Sequence, residues 1–364
     1  MAPRFQTCPK CAALLEPGTK VCPYCGTDQA AVIAPSAEQD AAATNNLGVW
    51  LIGFCVVFYM LMVLLDPGRG DKAPDESPLD PTGTAIEVFG AHHPFYVRHC
   101  GQYWRIVTAN FIHLDTMHLL FNCIAIFFVI PLAGMTFGAH RTWVIFLVTG
   151  LLAVFASNVI QNAGGGGASG AICGMIGALG IYGWRRGGYE GQMLTRRMGA
   201  WALFILAFGL LVPNVDNVAH GVGFVAGAAI GWFGAAVRAR GGAADKVWQG
   251  LAYLCLGLVI GAFGVGLLPN VLRSQDRRDV RLFNADVQAR LQAITDVDAT
   301  ERRLRPLDEG PPRTEAVRTS VNRALTFARN RDMAALGPAL REAYATWRVW
   351  QDHARCAYQI RFNP

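Results

Sequence analysis

The chain is poor in charge. Only 16% of its 364 residues are Asp, Glu, Lys or Arg, while 52% are hydrophobic, a balance that excludes an ordinary soluble domain. A cleavable signal peptide is not expected, because the first apolar stretch begins near Leu47, behind a polar, cysteine-bearing segment. Two connections between apolar stretches, 161–167 and 214–215, hold no Lys or Arg. Cysteine does not form a framework: four of the ten cluster near the start, and the others lack regular spacing. Internal repeats and broken helices are also missing, which argues against a transporter. The net charge of +6 reflects basic cytoplasmic loops, and no nucleic-acid partner is expected.

What the sequence does have is apolar spans. About 20 residues are needed to cross a hydrocarbon core. Seven stretches reach or approach that length: 47–65, 115–132, 141–160, 168–184, 198–213, 216–237 and 247–269. The expected fold class is therefore an all-α polytopic membrane protein. Residues 1–30 form a small cysteine unit and 31–46 a flexible linker. A membrane core over 47–240 is followed by a further transmembrane helix within 241–269. The tail, 270–364, has helical periodicity at Val280–Ile294 and Ala335–Tyr358 and is broken at Gly310-Pro311-Pro312. Placing the N-terminus in the cytoplasm puts Arg141, then Arg185, Arg186, Arg196 and Arg197, then Arg238, Arg240 and Lys246 on the cytoplasmic side. The positive-inside rule favours this choice. An odd number of spans then leaves the tail outside, facing the periplasm if the membrane is a bacterial inner membrane.

Cys8-Pro-Lys-Cys11 and Cys22-Pro-Tyr-Cys25 are two CxxC turns. Four thiolates make a closed tetrahedral site for one structural Zn2+, and so short a unit needs the metal to fold. Disulfide pairing is the competing reading, disfavoured on a reducing cytoplasmic face. The segment resembles a zinc ribbon, and its partner is not written in the sequence.

The chemistry concentrates in the core. Ser169 sits in Gly164-Gly-Gly-Gly167-Ala-Ser169-Gly170, at the mouth of the apolar helix Ala171–Trp184. A helix start offers unsatisfied N–H groups and positive dipole to a developing anion. His220 lies in Ala219-His220-Gly-Val-Gly223-Phe-Val-Ala-Gly227, on another span and at a matching depth. Ser and His so placed suit a nucleophile and its general base. The glycines around them, Gly174, Gly177, Gly180, Gly223 and Gly227, let two helix backbones approach closely. His118 and Asn122, four apart on one face of the second span, are candidate oxyanion donors. Helix packing and interhelical hydrogen bonding are the competing reading for all four polar residues, and Tyr103-Trp104-Arg105 also suits an interfacial anchor.

Together these residues resemble the rhomboid family of intramembrane serine proteases. The matching pieces are Trp104-Arg105, His113, His118-x-x-x-Asn122, Gly167-Ala-Ser169-Gly170 and Ala219-His220-x-x-Gly223-x-x-x-Gly227. The resemblance implies a six-helix core with Ser169 as nucleophile and His220 as base. It also implies an oxyanion hole from His118, Asn122 and the Ser169 N–H, with Gly167, Gly170, His113, Trp104, Arg105, Gly223 and Gly227 in support. No cofactor is implied for catalysis. Substrates would be transmembrane proteins entering from the bilayer. A non-catalytic member of the fold that binds membrane clients is the alternative, and it would not need both the dyad and the donors. The sequence departs from the pattern at Cys173, where some members place a Tyr against the histidine. It also lacks an acidic residue in Ala133–Phe137.

Overall fold

The structure is a computed structural model and describes residues 6–8, 14–16, 19–27, 37–66, 69–71, 77–161, 164–213, 215–234, 243–272, 274–293, 314–330 and 332–358. Two two-residue strands, β1 (Gln6–Thr7) and β2 (Leu14–Leu15), pair antiparallel. Every other main element is helical. The series runs α1 (Ala37–Leu64), α2 (Gly83–Phe89), α3 (Trp104–Thr108), α4 (Thr116–Phe137), α5 (Ala139–Ala156), α6 (Ser169–Arg186) and α7 (Gly188–Leu211). It continues with α8 (Asn217–Gly234), α9 (Ala243–Leu272), α10 (Ser274–Ala293), α11 (Glu315–Arg329) and α12 (Met333–Tyr358). Among the described residues, five helical segments are long and apolar enough to cross a membrane: Asn46–Leu64, Thr116–Phe137, Ala139–Gln161, Gly188–Leu211 and Ala244–Gly266. The other two expected spans are helices as well. α8 is apolar but shorter, and α6 dilutes its apolar character with five glycines and Arg185-Arg186. α1 begins at Ala37, inside the stretch expected to be a linker, where Ala41-Ala42-Ala43 favours helix.

The chain divides into two compact units. One comprises 1–57, 117–161 and 167–259. Its centre is α6, whose buried face runs from Gly170 to Gly183 and packs on α5, α7 and α8. Outward faces stay apolar: in the α7 window only 11% of residues are buried, with Leu203, Leu210 and Leu211 exposed, as a lipid-facing helix requires. Arg141 on α5 pairs with Asp245 on α9 at 2.5 Å, and Trp143 Nε1 donates to the Ala252 carbonyl.

The other unit comprises 58–116, 162–166 and 260–364. In it the loop after α1 is folded. Asp66 accepts from the Thr82 N–H and hydroxyl, and Thr82 in turn caps α2 through the Ala85 N–H. Asp80 accepts from the Thr116 N–H at 2.9 Å and its hydroxyl at 2.7 Å, which fixes the start of α4. Among its described residues the tail holds three helices, α11 in addition to the two expected helical segments. Val280, Phe283, Val287, Val317, Val321, Ala343 and Trp350 build its core.

Candidate active site

Ser169 is the first residue of α6 and His220 lies one turn into α8. Ser169 Oγ and His220 Nε2 are 2.8 Å apart, within hydrogen-bond range. Both residues are half-buried. The start of α8 is fixed by its own side chains. Asp216 Oδ1 accepts from the Ala219 N–H at 2.8 Å, and Asn217 Nδ2 donates to the Gly209 carbonyl of α7 at 2.8 Å. His220 Nδ1 is buried with no hydrogen-bond partner among the described residues, so no carboxylate bonds to the outer side of the ring.

The glycines set this approach. A Cβ on Gly223 would run into the Gly170 carbonyl, one on Gly227 into the Gly174 carbonyl, and one on Gly231 would lie 2.5 Å from the Ala178 carbonyl. A Cβ on Gly177 would strike the Phe224 carbonyl from the α6 side. Backbone therefore meets backbone along the α6–α8 seam. Gly180, expected on the same seam, faces Met198 of α7 instead, because the seam follows one stripe of α6 and Gly180 lies off it. Gly170 and Gly174 make room toward α5, for Ala153 and Thr149. Cys173 is buried on this helix.

His118 stands beside the segment that leads into Ser169: a Cβ on Gly167 would be 2.7 Å from the His118 ring and 3.8 Å from Ser169 Oγ. Gly167 also has φ +135°, a conformation that excludes most other residues. Asn122 is buried one turn along α4, and its Nδ2 donates to the His118 carbonyl at 2.8 Å. That amide nitrogen carries two hydrogens, so one remains for a further acceptor. The arrangement brings together a hydroxyl, an imidazole in contact with it, and donors on the neighbouring side.

The remaining expected residues belong to the loop before α4. Arg105 is fully buried, donating to the Glu87 carbonyl at 2.7 Å, the Ala91 carbonyl at 2.6 Å and Gln102 Oε1 at 2.7 Å. Its guanidinium lies 4.5 Å from the Tyr96 ring centroid and 4.6 Å from that of Trp104. Burial pulls its pKa down to about 10, partly offset by Tyr96 and Glu87, so it stays charged at neutral pH. Burial likewise pushes the Tyr96 hydroxyl up to about 12. Arg105 thus ties the loop's carbonyls together. His113 is fully buried just before α4. Sequence reasoning passed over Asp80 and His92. His92 exchanges two backbone hydrogen bonds with Gly165, both 2.9 Å, and neither pairing leaves a local signature.

At the other end of the chain, the sulfurs of Cys8, Cys22 and Cys25 lie within 4.8 Å of one another. Tetrahedral zinc–thiolate bonds of about 2.3 Å put sulfurs about 3.8 Å apart, and Cys8 Sγ is 3.5 Å from Cys25 Sγ. None of the three forms a disulfide. The second knuckle closes through Gly26 N–H to the Cys22 carbonyl, with Gly26 at φ 67°. These residues fit a structural zinc; Cys11 lies outside the described residues.

Comparison with known proteins agrees with this division. Residues 100–237 match the family model of the rhomboid domain, and residues 4–29 that of a zinc-ribbon domain. Rhomboid protease GluP of Bacillus subtilis (strain 168) is 34% identical over 154 residues, covering 40% of this chain and 29% of its own length. RHOMBOID-like protein 1 of Arabidopsis thaliana is 29% identical over 174 residues, 43% of this chain and 41% of its own. Rhomboid-like protease 1 of Toxoplasma gondii is 30% identical over 190 residues, 48% of this chain and 59% of its own. The chain thus spans between 29% and 59% of the length of these relatives.

Proposed function

From a chain that carries a rhomboid domain over residues 100–237, in a multi-pass membrane protein, we propose an intramembrane serine endopeptidase acting through Ser169 and His220. The observation that carries the reading is the 2.8 Å Ser169 Oγ to His220 Nε2 contact at the start of a helix. His220 Nε2 takes the hydroxyl proton as Oγ attacks the scissile carbonyl carbon. The resulting oxyanion accepts from the Ser169 N–H, the His118 ring and the second Asn122 N–H. Collapse expels the amine, to which His220 returns the proton, and a water activated by the same imidazole releases the acyl group. Substrates are membrane proteins cut in or near a transmembrane segment, whose helix must unwind locally at a small or helix-weak stretch. No cofactor takes part in these steps. The zinc ribbon, when loaded, supplies a folded cytoplasmic module through Cys8, Cys11, Cys22 and Cys25. The domain plan goes with this: ribbon over 1–30, linker over 31–46, catalytic core over 47–240, a seventh helix within 241–269 and the tail over 270–364.

Two arguments support an N-terminus in the cytoplasm and a tail outside; a bacterial inner membrane is the proposed setting. One is the loop arginines. The other is the Cys100–Cys356 disulfide: its halves follow one span and seven spans, both odd numbers, so they reach the same, oxidising side.

Ser169→Ala and His220→Ala are each expected to abolish cleavage of a tagged single-pass substrate at unchanged protein abundance. A serine-directed mechanism-based probe should label wild type and not Ser169→Ala. Wild-type cleavage by either variant would sink the dyad. Absence of both cleavage and labelling in the wild type would favour a client-binding protein instead.

A further inference from the structure

The tail is fastened to the loop that precedes α4. Cys100 and Cys356, 256 residues apart, form a disulfide, the only one among the described residues. Beside it Gln102 Nε2 donates to the Cys356 carbonyl at 2.8 Å, and the Arg355 guanidinium lies 4.3 Å from the Phe95 ring centroid. A cleft of about 460 Å³, lined by Phe95, His99, Asp352, His353 and both cysteines, borders the sulfurs. The two fastened segments each have their own support. The tail core holds Val280, Val321 and Trp350 but not Cys356, and the loop is tied by Arg105 to Glu87 and Ala91. Opening the bond would therefore leave the tail held to the loop only by the Gln102 hydrogen bond and the Arg355–Phe95 contact, without unfolding either.

The loop also holds the segment ahead of the nucleophile. The Cys100 N–H closes a turn on the Phe95 carbonyl, Tyr96 donates to Glu87 at 3.1 Å, and His92 pairs with Gly165. Gly165 lies four residues before Ser169 in the chain.

We propose that Cys100–Cys356 is a thiol–disulfide exchange site, which sets whether the tail clasps this loop and so how firmly the Gly164–Gly166 segment is held. The reductant is a dithiol, whether a small molecule or a dithiol oxidoreductase. One of its thiolates attacks a sulfur of the pair, giving a mixed disulfide and releasing the other cysteine as thiol. Its second thiol resolves that bond, so the dithiol leaves oxidised and two electrons and two protons reside on Cys100 and Cys356. The effect on cleavage rests on the protease reading above; the clasp itself does not.

The test uses full-length protein in liposomes, with dithiothreitol as the probe. Reduction should expose alkylatable thiols at both positions and speed hydrogen exchange in Phe95–His99, in α12 and at Gly164–Gly166. Cleavage should fall roughly ten- to a hundredfold, the scale on which displacement of about 1 Å acts. Cys356→Ser should show the reduced behaviour and ignore dithiothreitol, which excludes an effect through the ribbon thiols. A bond that resists dithiothreitol in the folded protein, or one whose reduction leaves exchange at Gly164–Gly166 and cleavage unchanged, would overturn the proposal and leave a structural staple. Equal cleavage by Ser169→Ala would instead overturn the protease reading, while the exchange measurements still decide the clasp.

Discussion

At the scale of single residues, the site differs from a three-member charge-linked triad. His220 bonds to Ser169 through Nε2 and has no described partner at Nδ1. Its ring orientation rests on the serine contact and on the α8 cap at Asp216. On the proposed protease reading, transition-state stabilisation falls to the donors beside Ser169. We predict that His118→Ala and Asn122→Ala each lower kcat by about 10²–10³, the usual cost of one lost oxyanion donor, with a small change in KM. Steady-state cleavage of a fluorogenic transmembrane peptide checks this. Asp216→Ala removes the Ala219 cap and should lower stability by about 1 kcal/mol, while Asp216→Asn should retain it, as read by thermal unfolding in detergent.

Among the elements, the α6–α8 seam has the least slack. Lipid offers no hydrophobic drive to press helices together, so close van der Waals contact must hold them, and glycine permits it. Gly227→Ala drives a methyl into the Gly174 carbonyl, where neither backbone can yield without parting the helices. We expect destabilisation of about 1–3 kcal/mol or more together with loss of the Ser169–His220 contact and of cleavage. Gly221→Ala, on the same helix with open space at its Cβ, should leave the melting temperature and cleavage near wild type. The two variants together separate seam packing from helix propensity. In the proposed zinc site of Cys8, Cys11, Cys22 and Cys25, Cys22→Ser removes one thiolate. Zinc content of the purified protein should drop from one per chain toward zero, and the ribbon should lose its protection from proteolysis.

On the scale of the whole molecule, the orientation is open to a direct check. Reporter fusions or cysteine labelling should place residues 1–30 in the cytoplasm and residues 332–358 outside. A cytoplasmic tail would contradict both the arginine distribution and the Cys100–Cys356 pairing. Much of the helical layout was legible because apolar runs of membrane length and basic connections are local properties of the sequence. The helical start at Ala37 was less so, since it carries no amphipathic pattern, and α11 was overlooked although Val317, Val321, Ala324 and Ala328 recur at helical spacing. Gly180 was assigned to the wrong neighbour because spacing shows that a glycine is small, but not which helix it faces.

By itself the sequence determined which residues are the candidates for chemistry: one serine at a helix mouth, one histidine on another span, two donors four apart, and two CxxC turns. Each is a matter of residue type and local spacing. Only the tertiary structure decided how far apart they lie. The 2.8 Å contact between Ser169 and His220, 51 positions apart, depends on where their two helices meet. The expected outward placement of Cys100 and Cys356 left their pairing open, and the structure joins them in a disulfide; the pairing of His92 with Gly165 has no cue in the sequence at all. Contacts of that kind come from packing the whole chain, and they determine what the glycine segment around Ser169 can do.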